Sequence, residues 1–278
     1  MWYQDNEEFK GTNGYEVNGS WYPRVTRILE VKAKPALDSF FKEMERYSAA
    51  EKVKEQSAKE GSLVHATVEK LIVGEKIDIP DAIKPGVEAF QEFNEGGKIT
   101  FFPEYVERTI WSGRHRYAGT VDALASVDGK FGVLDIKTST GFYPEYNLQT
   151  AAYASALQEF EVRRMLGIKQ DVVTRWILRI DQHKTCGVCK AQLREKGGRK
   201  KIRPAGRKNS ASLQATHDGD GSAPTLCGEN EHEWSDTEGN VELREFPYLY
   251  KDIRAFVAAK ILWEWDNDYW LRKIGYLR

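Results

Sequence analysis

The sequence predicts an α/β fold in which a central mixed sheet is flanked by helices. Three observations support this prediction: helical periodicity over residues 27–73, three β-rich stretches between residues 99 and 136, and a helical stretch at 144–160 that leads into a strand at 175–180. With 278 residues, 41% of them hydrophobic, the chain is long and apolar enough to bury both faces of such a sheet.

The elements follow in order along the chain. Residues 1–27 indicate a small hairpin, because Asn18-Gly19 has the usual composition of a tight two-residue turn. Two helices come next, with Gly74 as the expected stop of the second, and a short helix is expected at 87–93. The predicted strands are ITFFPEYVERTIW (99–111), YAGTVDALASV (117–127) and KFGVLDI (130–136).

Composition divides the chain into three segments: a core at 1–180 with the N-terminal hairpin and helices, a basic insertion at 181–245 that contains cysteine and histidine, and a closing helix at 246–278 expected to pack on the core. No stretch approaches 18 uncharged apolar residues, so no membrane span is expected, and the N-terminus lacks a secretory pattern. Three cysteines, two of them in a CxxC, favour a cytoplasmic protein that uses cysteine for metal.

A hairpin between the second and third strands organises the candidate site. Asp-Gly at 128–129 lies between apolar runs, which is the strongest short hairpin signal. A two-residue loop there would place Asp122 opposite Asp135 and Thr120 opposite Lys137. Because side chains alternate along a strand, Asp135 and Lys137 are expected to share one face.

Two carboxylates that face each other on adjacent strands would repel unless a cation lies between them. Magnesium prefers carboxylate and carbonyl oxygens, so Asp122 and Asp135 suggest a divalent-cation site, with Lys137 beside it to hold a water or a phosphate. The alternative interpretation is that the two aspartates mark strand ends and that Lys137 pairs with one of them.

The motifs GTVDAL, LDIKTS and YNLQTAAYA, in this order, resemble the nuclease core of the PD-(D/E)XK superfamily, and the chain looks most similar to RecB-type exonucleases and their phage-borne relatives. The resemblance implies a restriction-endonuclease-like core in residues 1–180. It also implies a set of site residues, which are Asp122, Asp135, Lys137, Gln149 and Tyr153, together with His65 from a GxxxH pattern that begins at Gly61. His65, Asp122, Asp135 and the backbone carbonyl of Ile136 would hold magnesium or manganese.

The family also carries a glutamate on the strand before its first aspartate. Glu107 fits that spacing better than its rival Glu104, which follows a proline. A solvent-facing strand position is the other interpretation of either residue.

The function that the resemblance implies is hydrolysis of DNA phosphodiester bonds by a metal-dependent exonuclease, in recombination, repair or phage DNA processing. The expected partner is linear DNA, with a helicase or recombination protein as a further one, in a bacterial or phage-infected cytoplasm. The alternatives are a structure-specific endonuclease on the same core, a silent DNA-binding module, and an interaction protein that recruits a helicase through the insertion.

The insertion contains a candidate zinc site. CxxC forms a compact thiolate pair, and a further cysteine and histidine lie 38 and 43 positions after it. The predicted zinc-ribbon-like ligands are Cys186, Cys189, Cys227 and His232. His183 and His217 are alternative fourth ligands, and free thiols in a flexible loop are the alternative to a metal site.

The same insertion is strongly basic, with nine lysines or arginines and one glutamate in residues 190–208. Such a segment can follow DNA phosphates without reading sequence, or it can be a solvated loop. The predicted DNA-binding residues are Arg199, Lys200, Lys201, Arg203, Arg207 and Lys208.

Overall fold

The computed structural model describes residues 3–204, 227–228 and 231–278, and in these residues it confirms the predicted α/β class with a mixed sheet flanked by helices. The α-helices are α1 (Asn6–Asn13), α2 (Val25–Ile28), α3 (Pro35–Glu43), α4 (Tyr47–Ile72), α5 (Lys84–Glu95), α6 (Pro144–Leu157), α7 (Phe160–Leu166), α8 (Leu249–Asp266) and α9 (Asp268–Lys273). The strands are β1 (Gly14–Val17), β2 (Ser20–Pro23), β3 (Ile99–Phe101), β4 (Arg108–Ser112), β5 (Tyr117–Val121), β6 (Ala123–Val127), β7 (Lys130–Lys137), β8 (Thr174–Thr185), β9 (Gln192–Lys196), β10 (Arg199–Arg203) and β11 (Glu238–Glu245).

The central sheet has the order β10-β9-β8-β7-β6-β3, and β11 pairs with β8. Strands β7 and β8 run parallel, joined through α6 and α7, while the other pairs are antiparallel. The long strand β8 pairs with β11 over Trp176–His183 and with β9 at Lys184 and Thr185. The sheet therefore continues from β7, which carries Asp135 and Lys137, into the segment predicted as an insertion.

Separate apolar clusters cover the two faces of this sheet. On one face, Leu124 and Val133 pack with Leu157 of α6 and Phe256 of α8. On the other, a cluster that includes Leu134 packs against α4 and α5. Strands β6 and β7 are therefore buried on both faces, which explains why they are apolar on both.

The predicted register of the central hairpin is confirmed, since Ala123 pairs with Leu134 and Val127 with Lys130. Asp128 and Gly129 form the tip with φ of 48° and 75°, the left-handed conformation that a type I′ turn requires.

The prediction of one strand over 117–127 is wrong. The chain breaks at Asp122, where it leaves β5, which pairs only with β4, and enters β6 of the central sheet. Thr120 accordingly lies opposite Thr109, not Lys137. The strand predicted over 99–111 is also interrupted, because Pro103 starts a 3-10 turn that ends at Tyr105 and a proline cannot donate to a ladder.

The segment 181–245 contains regular structure. Strands β9, β10 and β11 lie in it and join the central sheet, so the predicted boundary at residue 180 falls inside β8. The division of the chain into three segments stays a prediction. Within the described ranges, no helix combines the length and apolar character needed to cross a membrane.

Candidate functional site

The end of β7 brings four of the predicted site residues together. Asp135 is fully buried, and its Oδ1 accepts a hydrogen bond of 3.0 Å from Gln149 Nε2 on α6. The same amide nitrogen donates to the Tyr153 hydroxyl at 3.1 Å. Lys137 Nζ lies 2.6 Å from Asp135 Oδ2. The acid and the lysine are therefore an ion pair, and α6 fixes the orientation of the carboxylate.

Gly119, the glycine of GTVDAL, leaves room for this arrangement. A Cβ atom at position 119 would lie 2.5 Å from Cε1 of Tyr153. The glycine and the tyrosine thus pack directly on each other, although 34 positions separate them in sequence. The place of this glycine in the GTVDAL motif did not by itself indicate the contact with Tyr153.

Asp122 lies at the break between β5 and β6. Its Oδ2 accepts a hydrogen bond of 2.7 Å from the backbone N–H of Ile136, so the side chain takes the place of a strand partner there. The same oxygen lies 3.6 Å from His65 Nδ1. Asp122 therefore connects β7 to helix α4, which packs on the opposite face of the sheet from α6.

Glu69 joins this group, and the sequence analysis missed it. One possible ligand atom from each of His65, Glu69 and Asp122 lies within 4.8 Å of the other two. Among the described residues this group does not include Asp135. The signal was present in the sequence, because Glu69 follows His65 by four positions and side chains at that spacing share a helical face.

Glu107, not Glu104, faces the group. Glu107 lines the same cleft as His65 and Glu69, and its backbone N–H donates to the Asp122 carbonyl at 3.1 Å. Its φ of 52° is left-handed, an unusual conformation for a glutamate. Glu104 lies in the 3-10 turn that precedes β4.

Burial and crowding make the carboxyl groups less acidic. Burial raises the pKa values of Asp122 and Asp135 to about 6, even though Lys137 lowers them. Burial, followed by repulsion from Glu107 and Asp122, raises the pKa of Glu69. These acids are therefore held in a place that penalises their negative charge.

A divalent cation fits this site. Oδ2 of Asp135 is buried, and among the described residues it has no well-oriented hydrogen bond, only the ion pair with Lys137. Burial and then Lys137 lower the pKa of His65 to about 4, so its imidazole is neutral and able to act as a ligand. Carboxylate oxygens with a neutral imidazole form a donor set that suits magnesium or manganese.

The site opens into a cleft of about 1140 Å³ between α3, α4, the start of α6 and strand β9. Glu69 and Glu107 line the cleft together with His65, and six cationic side chains line it as well. The cationic side chains that line it are Lys32, Lys34, Lys54, Lys137, Arg194 and Lys196. The aromatic rings of Phe40, Tyr143 and Tyr146 also line it.

Four predicted DNA-binding residues lie on β10. Arg199 and Lys201 are already engaged with Glu43 of α3, at 2.7 and 3.6 Å. Arg203 donates to the Thr140 carbonyl at 3.2 Å, and Lys200 is exposed, 3.9 Å from Glu195. The other two predicted residues, Arg207 and Lys208, lie outside the described residues.

A second candidate metal centre lies where β8 turns into β9. The Sγ atoms of Cys186 and Cys227 are 3.9 Å apart, and Cys189 Sγ lies 3.4 Å from His232 Nδ1. All four ligand atoms lie within 4.8 Å of one another. Tetrahedral zinc with Zn–S of about 2.3 Å and Zn–N of about 2.0 Å would place neighbouring ligand atoms roughly 3.5–3.8 Å apart. This Cys3His group can therefore bind a metal ion.

Two of the thiols differ in acidity: burial and the neighbouring cysteines raise the pKa of Cys227 to about 11, whereas the pKa of Cys186 is lowered. Burial opposes ionisation of Cys186, but hydrogen bonds with the backbone of Cys189 and Val188 and with His232 outweigh it and lower the thiol pKa. His183, an alternative ligand, lies 3.0 Å from the Gln192 amide instead. The other alternative, His217, is outside the described residues.

No family model and no curated protein matches this chain. The resemblance to nucleases thus depends on the motifs and on the geometry of the site alone.

Proposed function

We propose that this protein is a magnesium- or manganese-dependent deoxyribonuclease with a PD-(D/E)XK core, acting as a RecB-type exonuclease in DNA recombination, repair or phage DNA processing. One observation carries the proposal. Buried acids grouped with a neutral histidine adjoin an aspartate–lysine pair, and His65, Glu69 and Lys137 of this set line a cleft that other cationic side chains also line. Metal-dependent phosphodiester hydrolysis requires acidic side chains that bind the metal ion and positively charged side chains that bind the phosphate.

His65, Glu69 and Asp122 would hold the cation, with Asp135 beside them. When bound, the cation lowers the pKa of a water molecule and neutralises charge on the phosphate in the transition state. This assignment adds Glu69 to the ligands that the sequence indicated.

Lys137 has the complementary role. Burial lowers its pKa, but the carboxylates of Asp135 and Asp122 outweigh burial and raise it, so the ammonium group stays protonated at neutral pH. A fixed ammonium group beside the acids can orient the attacking water and stabilise the negative charge that develops on the phosphate. Gln149 holds the Asp135 carboxylate in position for the pairing.

The Cys3His group has a separate proposed role as a structural zinc site. Four protein ligands leave no open position for a substrate, as in structural rather than catalytic zinc sites. We expect purified protein to contain about one zinc per chain.

Cleavage of linear and circular DNA tests the proposal. End-labelled linear DNA and closed circular DNA are incubated with manganese and wild-type protein, beside Asp135→Ala and Lys137→Ala. We expect the wild type to degrade linear DNA only, and both variants to lose at least about 100-fold in rate. Cleavage of the circles would replace the exonuclease with an endonuclease. If the wild type binds DNA without cleaving it, the nuclease proposal fails and the protein is a DNA-binding protein.

A further inference from the structure

The β9–β10 hairpin forms one wall of the cleft, and its cleft side is basic. Cross-strand pairs join Lys196 with Arg199 and Arg194 with Lys201. Because alternate residues of a strand face the same way, these four cations share one face. The tip is Gly197-Gly198, with φ of 61° and 75°, as a tight hairpin turn requires.

The hairpin tip is docked on α4, the helix that carries His65 and Glu69. The backbone N–H of Gly197 donates to the Glu60 carboxylate at 3.0 Å. A Cβ atom at position 197 would lie 2.2 Å from Ser57 Oγ and 2.4 Å from the Val53 carbonyl. Only glycine fits this contact, so the position of the wall depends on it.

This docking holds the ammonium group of Lys196 next to the catalytic strand. Lys196 Nζ donates to the backbone carbonyl and to the hydroxyl of Thr138, both at 2.6 Å. Thr138 directly follows Lys137. Gly61 leaves the space for this contact, because a Cβ there would lie 2.9 Å from Thr138 Oγ1 and 3.9 Å from Lys196 Nζ.

Lys196 differs from the other cations on this face in its charge balance. Arg194 pairs with Asp181 at 2.6 Å, and both Arg199 and Lys201 pair with Glu43. Within the part of the chain that the structure describes, Lys196 hydrogen-bonds only uncharged oxygens and forms no ion pair with a carboxylate, although Asp181 and Glu60 lie near enough to favour its charge against burial and Arg194. A half-buried cation that lines a cleft without an anionic partner is suited to an anionic ligand.

We propose that Lys196 contacts a phosphate of the DNA substrate beside Lys137, and that docking of the hairpin on α4 holds it there. The inference rests on the proposed nuclease function and deepens it. It makes the basic segment part of the substrate-binding cleft, with one lysine as the phosphate contact.

Binding measurements on Lys196→Met test the contact. Affinities for a fluorescent 30-nucleotide linear DNA, single- and double-stranded, are measured in magnesium between 50 and 200 mM salt, in an Asp135→Asn background that keeps the DNA intact. Loss of one phosphate contact is expected to reduce the slope of log affinity against log salt by about 0.7 for single strands and 0.9 for duplex. Binding is expected to weaken about tenfold, and Lys196→Arg to restore most of it.

Two matched controls separate contact from fold. Lys98→Met removes one charge before β3, at the opposite end of the sheet from the cleft, and should leave the slope unchanged. Gly197→Ala and Gly198→Ala place the same methyl group on left-handed residues, but only position 197 collides with α4. Gly197→Ala should therefore reproduce the Lys196→Met defect, while Gly198→Ala should not.

The outcomes distinguish this inference from the proposed function. If wild type cleaves DNA but Lys196→Met keeps the parent slope and affinity, Lys196 is not a phosphate contact and the nuclease proposal stands. If wild type neither binds nor cleaves DNA, both proposals fail. If thermal melts show that Lys196→Met is unfolded, equal binding by Gly197→Ala and Gly198→Ala overturns the inference.

Discussion

The two ligand clusters of this protein are held in opposite ways. The carboxylate cluster lies where the sheet is buried on both faces by two large apolar clusters. Among the residues that the structure describes, the Cys3His cluster has a small core of Cys186, Cys189 and Ala191, with Cys227 and Trp234 packed against it. Apolar packing from both faces of the sheet thus positions the first site, whereas in the described residues most of the packing around the second consists of the ligands themselves.

A metal ion would contribute something different to stability at each cluster. At the carboxylate cluster, ligands already in position repel one another, so a cation would relieve strain and add little order. At the Cys3His cluster, a metal would link the turn after β8 to a segment 41 residues later in the sequence. Binding there is expected to be coupled to local folding.

The largest expected effect comes from removing a carboxylate that is proposed to hold the cation. Glu69→Gln should lower the rate of DNA cleavage about 100-fold while the midpoint of thermal unfolding stays the same or rises, because repulsion with Glu107 and Asp122 is relieved. Cleavage assays and thermal melts measure the two quantities. Glu104→Gln is the matched control, and a fall in the melting midpoint of Glu69→Gln would contradict a pre-built site.

At the Cys3His cluster we expect a smaller effect on DNA cleavage and a larger effect on the local order of the backbone. Cys189→Ser should abolish metal binding there, and amide hydrogen exchange should speed up in residues 184–203 but not in α4 or β7. Because the hairpin forms a cleft wall, DNA cleavage should fall about tenfold or less. Val188→Ala, in the same turn, is the control. If amide hydrogen exchange in residues 184–203 stayed the same after loss of the metal, the structure around this cluster would not depend on metal binding.

The same contrast explains how much could be predicted from the sequence. Asp128-Gly129 and the apolar runs around it were enough for the register that brings Asp122 near Asp135, since turn and strand signals are local. The break at Asp122 was not predicted, because where a strand ends depends on the strand with which it pairs. Here β5 pairs with β4 and not with a strand of the central sheet.

Glu69 and Lys196 were missed for different reasons. Glu69 had a local signal, four positions after His65, that was present but not used. The location of Lys196 depends on contacts with α4 and with Thr138, which lie far away in sequence. Gly197-Gly198 has the composition of a hairpin turn, a local signal that was not used, but nothing local indicated where the hairpin docks.

The smallest expected effect is a dependence of stability on pH. Folded Asp122 and Asp135 have pKa values of about 6 and Glu69 about 8, all raised by burial. Between the ordinary carboxyl range and pH 8, the folded protein therefore binds more protons than the unfolded chain, so stability falls as pH rises. His65, with its pKa lowered to about 4, acts in the opposite direction, but only below about pH 6.5.

Between pH 6.5 and 8 the Cys186 thiol, with its pKa lowered to about 6, and Lys196, with its pKa lowered to about 8, act in the opposite direction to Glu69. The contribution of Glu69 is therefore measured as the melting midpoint of wild type minus that of Glu69→Gln, in which the amide does not titrate. Without added divalent cation, this difference should fall by about 2–4 °C from pH 6.5 to pH 8, and millimolar magnesium should reverse the fall by binding the ionised folded wild type. A difference that instead rises with pH would mean that the carboxylates are not crowded in the folded protein, and the contrast between the two clusters would then fail at its first site.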